Sequence, residues 1–340
     1  MKEVKTKFVV TQYNIVGCWY GRKAHDTPVK SEELLSVLDG FCKWVDKTPH
    51  MSHTRIGKDT YPFKVYVKDC ASTGHDFLVA LWLSSNETNA NVYAIDENDP
   101  PNGTQTVEKK DFGKGKIPGF PAYFFVDADT CRLYTVRPTH LSVNGRAQFD
   151  AALKFYMANH AGEIQKSKRV LNDGRIAVEL NMVGADGESL VPKFESTLQK
   201  VSSATETLKK RFQEIRKIVH TQDISKKPTA EKVSIVKKAF EVIGATIDDN
   251  SDVSNSRRIK CEVDVRLTLE EVQEFVKRQD EVKSNERFGF KFKGDPKTMW
   301  ADTCIAKKEI ELSVKAKEDM PLEAKNLLEA IEVKRPNVVK

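Results

Sequence analysis

The stretch that decides the fold is Gly119-Phe120-Pro121-Ala122-Tyr123-Phe124-Phe125-Val126-Asp127-Ala128-Asp129-Thr130, followed by Arg132-Leu133-Tyr134-Thr135-Val136. Two apolar runs flank a short acidic segment. This pattern predicts a β-hairpin, because aromatic side chains suit a pleated strand and Asp residues suit its turn. Two neighbouring Asp residues also resemble part of a metal site, but no third ligand is in view, so the turn interpretation is favoured.

Strand and helix patterns surround this hairpin in the first half of the chain. Apolar and polar residues alternate from Lys7 to Gly17, and apolar residues recur at helical spacing from Ser31 to Val45. Further strand-like runs are Tyr61 to Val67, Phe77 to Leu83 and Val92 to Ile95. A helix is predicted from Ala147 to Asn159 and ends near Gly162. These elements predict an N-terminal α+β domain over residues 1–165.

The second half predicts another α+β domain, over residues 166–340. It opens with a hairpin through Asn172-Asp173-Gly174, and a heptad spacing of apolar residues then predicts a long helix from Phe194 to His220. Another helix starts at Thr229, and the capping box Thr268-Leu269-Glu270-Glu271 starts a further one. The other predicted elements are strands Ile259 to Leu267, Phe288 to Gly294 and Ile305 to Val314, and a final helix Pro321 to Lys334. The expected fold is α+β, with two domains that are each a mainly antiparallel sheet with packed helices.

Length and composition exclude several classes of protein. The length of 340 residues suits two domains, and 39% hydrophobic residues exclude a wholly disordered chain. No apolar run is long enough for a membrane span, and the start MKEVKTKFVVTQYN resembles no signal peptide, so we expect a cytoplasmic protein. The six Cys residues show no Cys-x-x-Cys spacing, which predicts reduced, packed thiols.

The charge distribution points to a polyanionic partner. The net charge is +6, and the segment from Val201 to Lys238 holds ten Lys or Arg against four Asp or Glu. Such a surplus attracts nucleic acid first and a membrane surface second. The alternative is a solvated helix whose lysines only keep it soluble. The candidate nucleic-acid-binding residues are Lys209, Lys210, Arg211, Arg216, Lys217, Lys226, Lys227, Arg257, Arg258, Lys291 and Lys293.

The strand near residue 290 offers two interpretations. Phe288, Phe290 and Phe292 alternate with Lys291 and Lys293, so the rings share one face and the lysines the other. Exposed rings could stack on bases, but three exposed Phe side chains would form a large apolar patch. We therefore expect the rings to pack in the core and the lysines to contact phosphate.

Enzyme motifs are absent from the sequence, which favours a non-enzymatic protein without catalytic residues, cofactor or metal. There is no phosphate-binding Gly-x-x-x-x-Gly-Lys loop, no Gly-x-Ser-x-Gly and no His-Glu-x-x-His. The pairs His50 with His53 and Cys70 with His75 are interpreted as surface or structural residues. A metal-dependent nuclease remains an alternative, built from Glu262, Asp264 and Lys291 or Lys293.

The hairpin stretch from Gly119 to Thr130 resembles the Gly-Phe-Pro-small-aromatic-x-Phe-Val-acid-small-Asp-Thr segment of the RexA-like family of phage lambda exclusion proteins. The order of the predicted elements agrees with that family, and Ile259 to Arg278 and Trp300 to Val314 also resemble it. The region from Val170 to Pro228 matches poorly, so the basic helix is not carried over. The resemblance implies a two-domain α+β dimer that binds DNA with little sequence preference. It also implies a role in phage exclusion with a small membrane-protein partner. A DNA-binding subunit of a two-gene membrane-associated defence system such as Kiwa is a related alternative.

Together these observations predict a non-enzymatic, sequence-tolerant DNA-binding protein of phage exclusion or antiviral defence. We expect a cytoplasmic homodimer that binds double-stranded DNA and that a membrane partner recruits to the inner membrane. The apolar stripe from Leu198 to Val219 is either the dimer interface or part of its own domain's core. The alternatives are a metal-dependent effector nuclease and a protein-interaction module that inhibits a host or phage enzyme.

Overall fold

The computed structural model describes most of the chain. The described residues are 2–23, 27–57, 64–85, 93–103, 106–108, 114–141, 145–161, 165–170, 176–184, 188–224, 257–281, 286–295, 297–317 and 320–339. The strands are β1 Lys2–Gly21, β2 Pro28–Glu32, β3 Val65–Thr73, β4 Asp76–Ser84, β5 Tyr93–Asp96, β6 Val107–Glu108, β7 Lys116–Asp127, β8 Arg132–Pro138, β9 Gln165–Val170, β10 Ile176–Val183, β11 Ser189–Leu198, β12 Ile215–Ile224, β13 Arg257–Asp264, β14 Glu286–Phe292, β15 Thr298–Trp300 and β16 Lys307–Ala316. The helices are α1 Leu34–Lys47, α2 Arg146–Asn159, α3 Ser202–Arg211, α4 Leu269–Glu281, α5 Ala324–Val333 and α6 Arg335–Val338.

The chain forms two compact units. The first contains Met1–Gln199 together with Ala306–Lys340, and the second contains Lys200–Ile305. This division differs from the predicted boundary after residue 165, because β1 pairs with strands from both later segments. Cys18 of β1 lies opposite Phe194 of β11, and Phe8 lies opposite Ile310 of β16. The second unit is therefore an insertion between two segments of the first.

A large antiparallel sheet forms the first unit, with the strand order β3-β4-β7-β8-β1-β11-β10-β9. The strands β16 and β2 also pair with β1, and β5 joins β7. The predicted hairpin is present as β7 and β8, where Phe125 lies opposite Tyr134. In its turn, the Thr130 N–H donates a hydrogen bond of 3.1 Å to Asp127 Oδ1, so this carboxylate supports the turn.

Helices cover both faces of this sheet around β4. Phe77, Val79 and Leu81 belong to the core cluster that contains α1 and α2, whereas Leu78 and Ala80 belong to the cluster that contains α5. A strand that is buried on both faces has a continuous apolar sequence, as β4 does. The predicted α+β class is confirmed, with a large antiparallel sheet, a separate second sheet and packed helices.

The predicted helix from Phe194 to His220 is wrong. This segment instead forms the end of β11, helix α3, a 3₁₀ turn at Phe212–Glu214 and the start of β12. The β-branched residues Ile215, Val219 and Thr221 suit a strand, and β12 pairs with β13 and β14 on its two sides. The apolar stripe from Leu198 to Val219 is therefore not the face of one continuous helix.

Two of the cysteines differ from the expectation of reduced thiols. Cys42 of α1 and Cys70 of β3 form a disulfide, with Cα atoms 5.5 Å apart and 28 residues apart in sequence. Both are buried where α1 packs on the sheet. Cys18 and Cys304 are free and buried, whereas Cys131 and Cys261 are free and exposed. In the ranges given above, no helix has the length and apolar character needed to cross a membrane.

We expect the stability of the first unit to depend on pH through a largely buried carboxyl group on α2, that of Asp150. Burial raises the pKa of Asp150 from 3.8 to about 6, although Arg146 Nη2 lies 3.2 Å from its Oδ2 and opposes the shift. The folded state then binds this proton more tightly than the unfolded chain, so stability falls as the pH rises from about 4 through about 6. We expect Asp150→Asn to raise the free energy of unfolding at pH 7.5 by about 2 kcal/mol.

Urea unfolding of both proteins at pH 4 and pH 7.5 checks this expectation. The variant should lose the part of the pH dependence that arises from Asp150. An Asp150→Asn protein that is less stable than the wild type at pH 7.5 would show that the ion pair with Arg146 outweighs the cost of burial.

Candidate nucleic-acid interface

The second unit is built on a four-stranded antiparallel sheet with the order β13-β12-β14-β15. On one face, Ile218 lies opposite Phe290 and His220 lies opposite Phe288. Helix α4 packs on this face, because the Phe275 ring centroid is 5.9 Å from that of Phe288 and 6.4 Å from that of Phe290.

The capping box that starts α4 is present as predicted. The Thr268 N–H donates to Glu271 Oε2 at 2.8 Å, and the Glu271 N–H donates to Thr268 Oγ1 at 3.3 Å. Two backbone N–H groups at the helix start are thereby satisfied. The cap fixes where α4 begins and so which face of it meets the sheet.

Packing of the phenylalanine rings in the core is confirmed. Phe290 and Phe292 are buried, and Phe288 is half-buried with its ring stacked on His220 at a centroid distance of 4.7 Å. These rings are therefore not available as a platform for stacked bases. The opposite face of the sheet is the one that carries charge.

Three lysines on that opposite face surround one glutamate. Lys291 Nζ of β14 lies 2.6 Å from Glu262 Oε1, and Lys260 Nζ lies 2.7 Å from the same oxygen. Lys217 Nζ of β12 lies 4.0 Å from Glu262 Oε2 and 3.8 Å from Asp264 Oδ1. We call Lys217, Lys260 and Lys291 the lysine triad. It brings three positive charges from three adjacent strands to one place on the sheet.

The carboxylate at the centre of the lysine triad stays ionised. Hydrogen bonds from Lys260 and then from Lys291 lower the pKa of Glu262 to about 2. At neutral pH this carboxylate is an internal counter-ion for the triad. Because these side chains are partly exposed, an external anion can compete with Glu262 for the same ammonium groups.

An arginine and a tryptophan pack together where β14 meets β15 in the same sheet. Arg287 donates hydrogen bonds to both carboxylate oxygens of Asp302, at 2.8 and 3.0 Å, and its guanidinium lies 4.5 Å from the Trp300 ring centroid. A Cβ added at Gly289 would come within 2.8 Å of that ring, so a glycine is needed where the indole packs on the strand. Arg287 thus supports this edge of the sheet, and the Asp302 carboxylate neutralises the charge of its guanidinium.

The predicted basic residues are divided among several elements. Lys209 and Lys210 are exposed on α3, and Arg216 is exposed on β12. Arg211 forms an ion pair with Glu214 at 2.9 Å and lies over the Phe292 ring at 4.3 Å, which gives it a packing role. The single continuous basic helix expected from the sequence does not exist.

The remaining predicted basic residues add less to the candidate interface. Lys293 is exposed directly after β14, and Arg257 and Arg258 begin β13, where their backbones lie opposite Ile224 and Asp223. Lys226 and Lys227 lie outside the described residues, as does the helix predicted from Thr229. Of the predicted residues, the structure brings Lys217 and Lys291 together.

Sequence analysis missed Lys260 and Arg287. The alternation of Lys260, Glu262 and Asp264 within a predicted strand places these three side chains on one face, which was the available signal. The pairing of β13 with β12 that brings Lys217 beside them could not be predicted, because Lys217 was assigned to a helix.

The nuclease alternative depends on Glu262 and Asp264, and both lie beside Lys217. Among the residues that the structure describes, no group of three or more His, Cys, Asp or Glu is arranged to hold a metal ion. Outside this unit, His50 Nδ1 lies 2.7 Å from the Asn98 carbonyl oxygen, and His75 contacts the Asp129 carboxylate. Both histidines therefore have structural partners.

Comparison of the chain with protein-family models, with curated proteins and with solved structures found no match in any of the three.

Proposed function

We propose that this protein binds nucleic acid through the lysine triad, contacts the phosphates of double-stranded DNA and has little sequence preference. The main evidence for this proposal is that the Nζ atoms of Lys217, Lys260 and Lys291 all lie within 4.0 Å of the Glu262 carboxylate. Phosphate oxygens are ligands of the same kind as the Glu262 carboxylate, so the DNA backbone can take its place. Contacts to phosphate alone carry no sequence information, which is the reason to expect sequence tolerance.

The balance of charge in the second unit supports the same proposal. Residues Lys200–Ile305 contain 22 Lys or Arg and 18 Asp or Glu, so this unit holds four of the six surplus positive charges of the chain. A positive surplus attracts DNA at long range before any contact forms. Lys209, Lys210 and Lys293, which are exposed in the same unit, contribute to this attraction.

The biological role follows from the resemblance of the hairpin stretch to the RexA-like family. We propose phage exclusion or antiviral defence, without catalysis, by a homodimer in the cytoplasm that a small membrane protein recruits to the inner membrane. The Cys42–Cys70 disulfide is unusual for that compartment, where most thiols are kept reduced.

Removal of the internal counter-ion tests the proposal. We expect Glu262→Gln to bind a random-sequence 30-base-pair duplex about fivefold more tightly than the wild type, because the glutamine no longer competes with phosphate for the three ammonium groups. Fluorescence anisotropy at 0.1 M salt measures both affinities.

Glu270→Gln is the matched control. Glu270 lies in the first turn of α4, is exposed and carries the same charge, so its loss changes the net charge of the protein equally. Equal affinities for the two variants would mean that only net charge matters, and weaker binding by Glu262→Gln would contradict the proposal. Magnesium-dependent nicking of a plasmid that is lost in Asp264→Ala would support the nuclease alternative instead.

A further inference from the structure

A small cavity in the first unit has three lysines among the described residues that line it. Its volume is about 70 Å³, and its lining includes Lys68 of β3, Lys315 of β16, and Lys317, Glu323 and Asn326 near the start of α5. Lys315 also lies 3.8 Å from Glu329 of α5. Among the described residues that line the cavity, the three lysines are thus accompanied by one acidic residue, Glu323, and Glu329 lies beside one of these lysines.

Lys68 is the unusual member of this group. Its side chain is 5% exposed, and its Nζ lies 4.0 Å from Asp69 Oδ2. That oxygen accepts a hydrogen bond of 2.7 Å from the Ala324 N–H, so Asp69 is shared with α5. Burial lowers the pKa of Lys68, while Asp69 and Glu323 oppose this effect. A buried ammonium is costly unless anions lie near it. Asp69 and Glu323 already supply such anions, and a further anion in the cavity would add to the stabilisation of the charged form.

The size of the cavity suits one tetrahedral anion. A water molecule needs about 10–15 Å³ of such space, so a cavity of about 70 Å³ accommodates about five heavy atoms. A phosphate group consists of five. Its oxygens accept hydrogen bonds from several ammonium groups at once, which matches a lining that supplies donors from three side chains.

A larger cavity adjoins the first. Its volume is about 580 Å³, and it shares Ala316, Lys317, Met320 and Pro321 with the lysine-lined cavity. Its other walls include Tyr93, Pro121, Tyr123, Leu322, Thr6 and His140. This volume lies within the range of about 300–1,000 Å³ for small-molecule sites, and its rings and prolines beside a few polar groups suit a flat heterocycle.

We propose that the two adjoining cavities form one binding site for a ribonucleoside monophosphate. The phosphate lies between Lys68, Lys315 and Lys317, and the nucleoside occupies the larger cavity against Tyr93 and Pro121. The site lies entirely within the first unit and shares no residue with the lysine triad, so it would give the DNA-binding protein a second, small-molecule ligand.

Calorimetric titration of the full-length protein tests this site with AMP, GMP, CMP and UMP. We expect at least one of them to bind, and to bind about tenfold more tightly than both its own nucleoside and inorganic phosphate, because only the monophosphate fills both cavities. Failure of all four to bind would overturn the proposal. Binding of inorganic phosphate as tight as that of the nucleotides would overturn the role of the larger cavity.

Two variants locate the site. Lys68→Met removes the buried charge, keeps its volume and should weaken binding about tenfold or more. Lys317→Gln lies at the exposed rim, should fold normally and should weaken binding as well. Lys325→Gln, an exposed change on α5 outside both cavities, is the matched control and should bind as the wild type does.

Unchanged nucleotide affinity in both Lys68→Met and Lys317→Gln would overturn the assignment. A protein that lacks the lysine triad should still bind the nucleotide if this inference holds. A failure of DNA binding is therefore distinguishable from a failure of this site.

Discussion

Replacing Arg335 with alanine is expected to lower the free energy of unfolding by about 3 kcal/mol. Arg335, the first residue of α6, contacts Asp76 of β4 through Nη1 and lies 2.9 Å from Asp127 Oδ2 of β7 through Nη2. The side chains of Asp76 and Asp127 are 8% and 1% exposed, so the variant leaves two buried carboxylates without their counter-ion. The guanidinium itself is 39% exposed, which places the expected loss at the lower end of the range for broken buried pairs.

Urea-induced unfolding followed by circular dichroism measures the effect. Arg266→Ala removes an exposed arginine of the second unit and should change stability by less than about 0.5 kcal/mol. Adding Asp127→Asn to Arg335→Ala should recover part of the loss, because one uncompensated charge is removed. A loss below about 1 kcal/mol in Arg335→Ala would contradict the buried ion pair.

The lysine triad is expected to provide most of the affinity for DNA. Changing Lys217, Lys260 and Lys291 together to Gln should weaken duplex binding about a hundredfold at 0.1 M salt, because three phosphate contacts and the release of their counter-ions are lost. These side chains lie on the surface of the sheet, away from the rings that pack against α4, so the variant should remain folded.

The matched control for the triad changes Lys209, Lys210 and Lys293 to Gln. These three exposed lysines belong to the same unit, so the control removes the same charge from other elements. We expect it to weaken binding by less than about tenfold, through long-range attraction alone. If the control loses as much affinity as the triad variant, binding is spread over the unit rather than concentrated at the triad.

Local sequence signals predicted the elements whose partners are close in the chain. The hairpin of β7 and β8, the capping box at Thr268 and the helix over α5 all follow from patterns within about 15 residues. The prediction of one helix over Phe194–His220 was wrong although the apolar spacing of this segment fits a heptad. Pairing of β11 with β1 and of β12 with β14 overrides that local pattern.

The features that could not be predicted depend on contacts between residues far apart in sequence. The two-segment composition of the first unit depends on β16 pairing with β1, some 300 residues earlier in sequence, which no local pattern indicates. The disulfide depends on α1 meeting β3 in the core. In the site, alternation on β13 placed Lys260 beside Glu262, but only the register of β12 and β14 brings Lys217 and Lys291 to the same carboxylate.

If the lysine triad binds DNA phosphates, the affinity for a duplex must depend on the salt concentration through these three lysines. Three phosphate contacts predict that a plot of log affinity against log salt concentration has a slope of about −2.7 for the wild-type protein. We expect a clearly shallower slope for the variant in which Lys217, Lys260 and Lys291 are all changed to Gln, with only the salt dependence of the remaining long-range attraction, and an unchanged slope for Glu270→Gln. Equal slopes for the wild type and the triad variant would contradict phosphate binding by the triad.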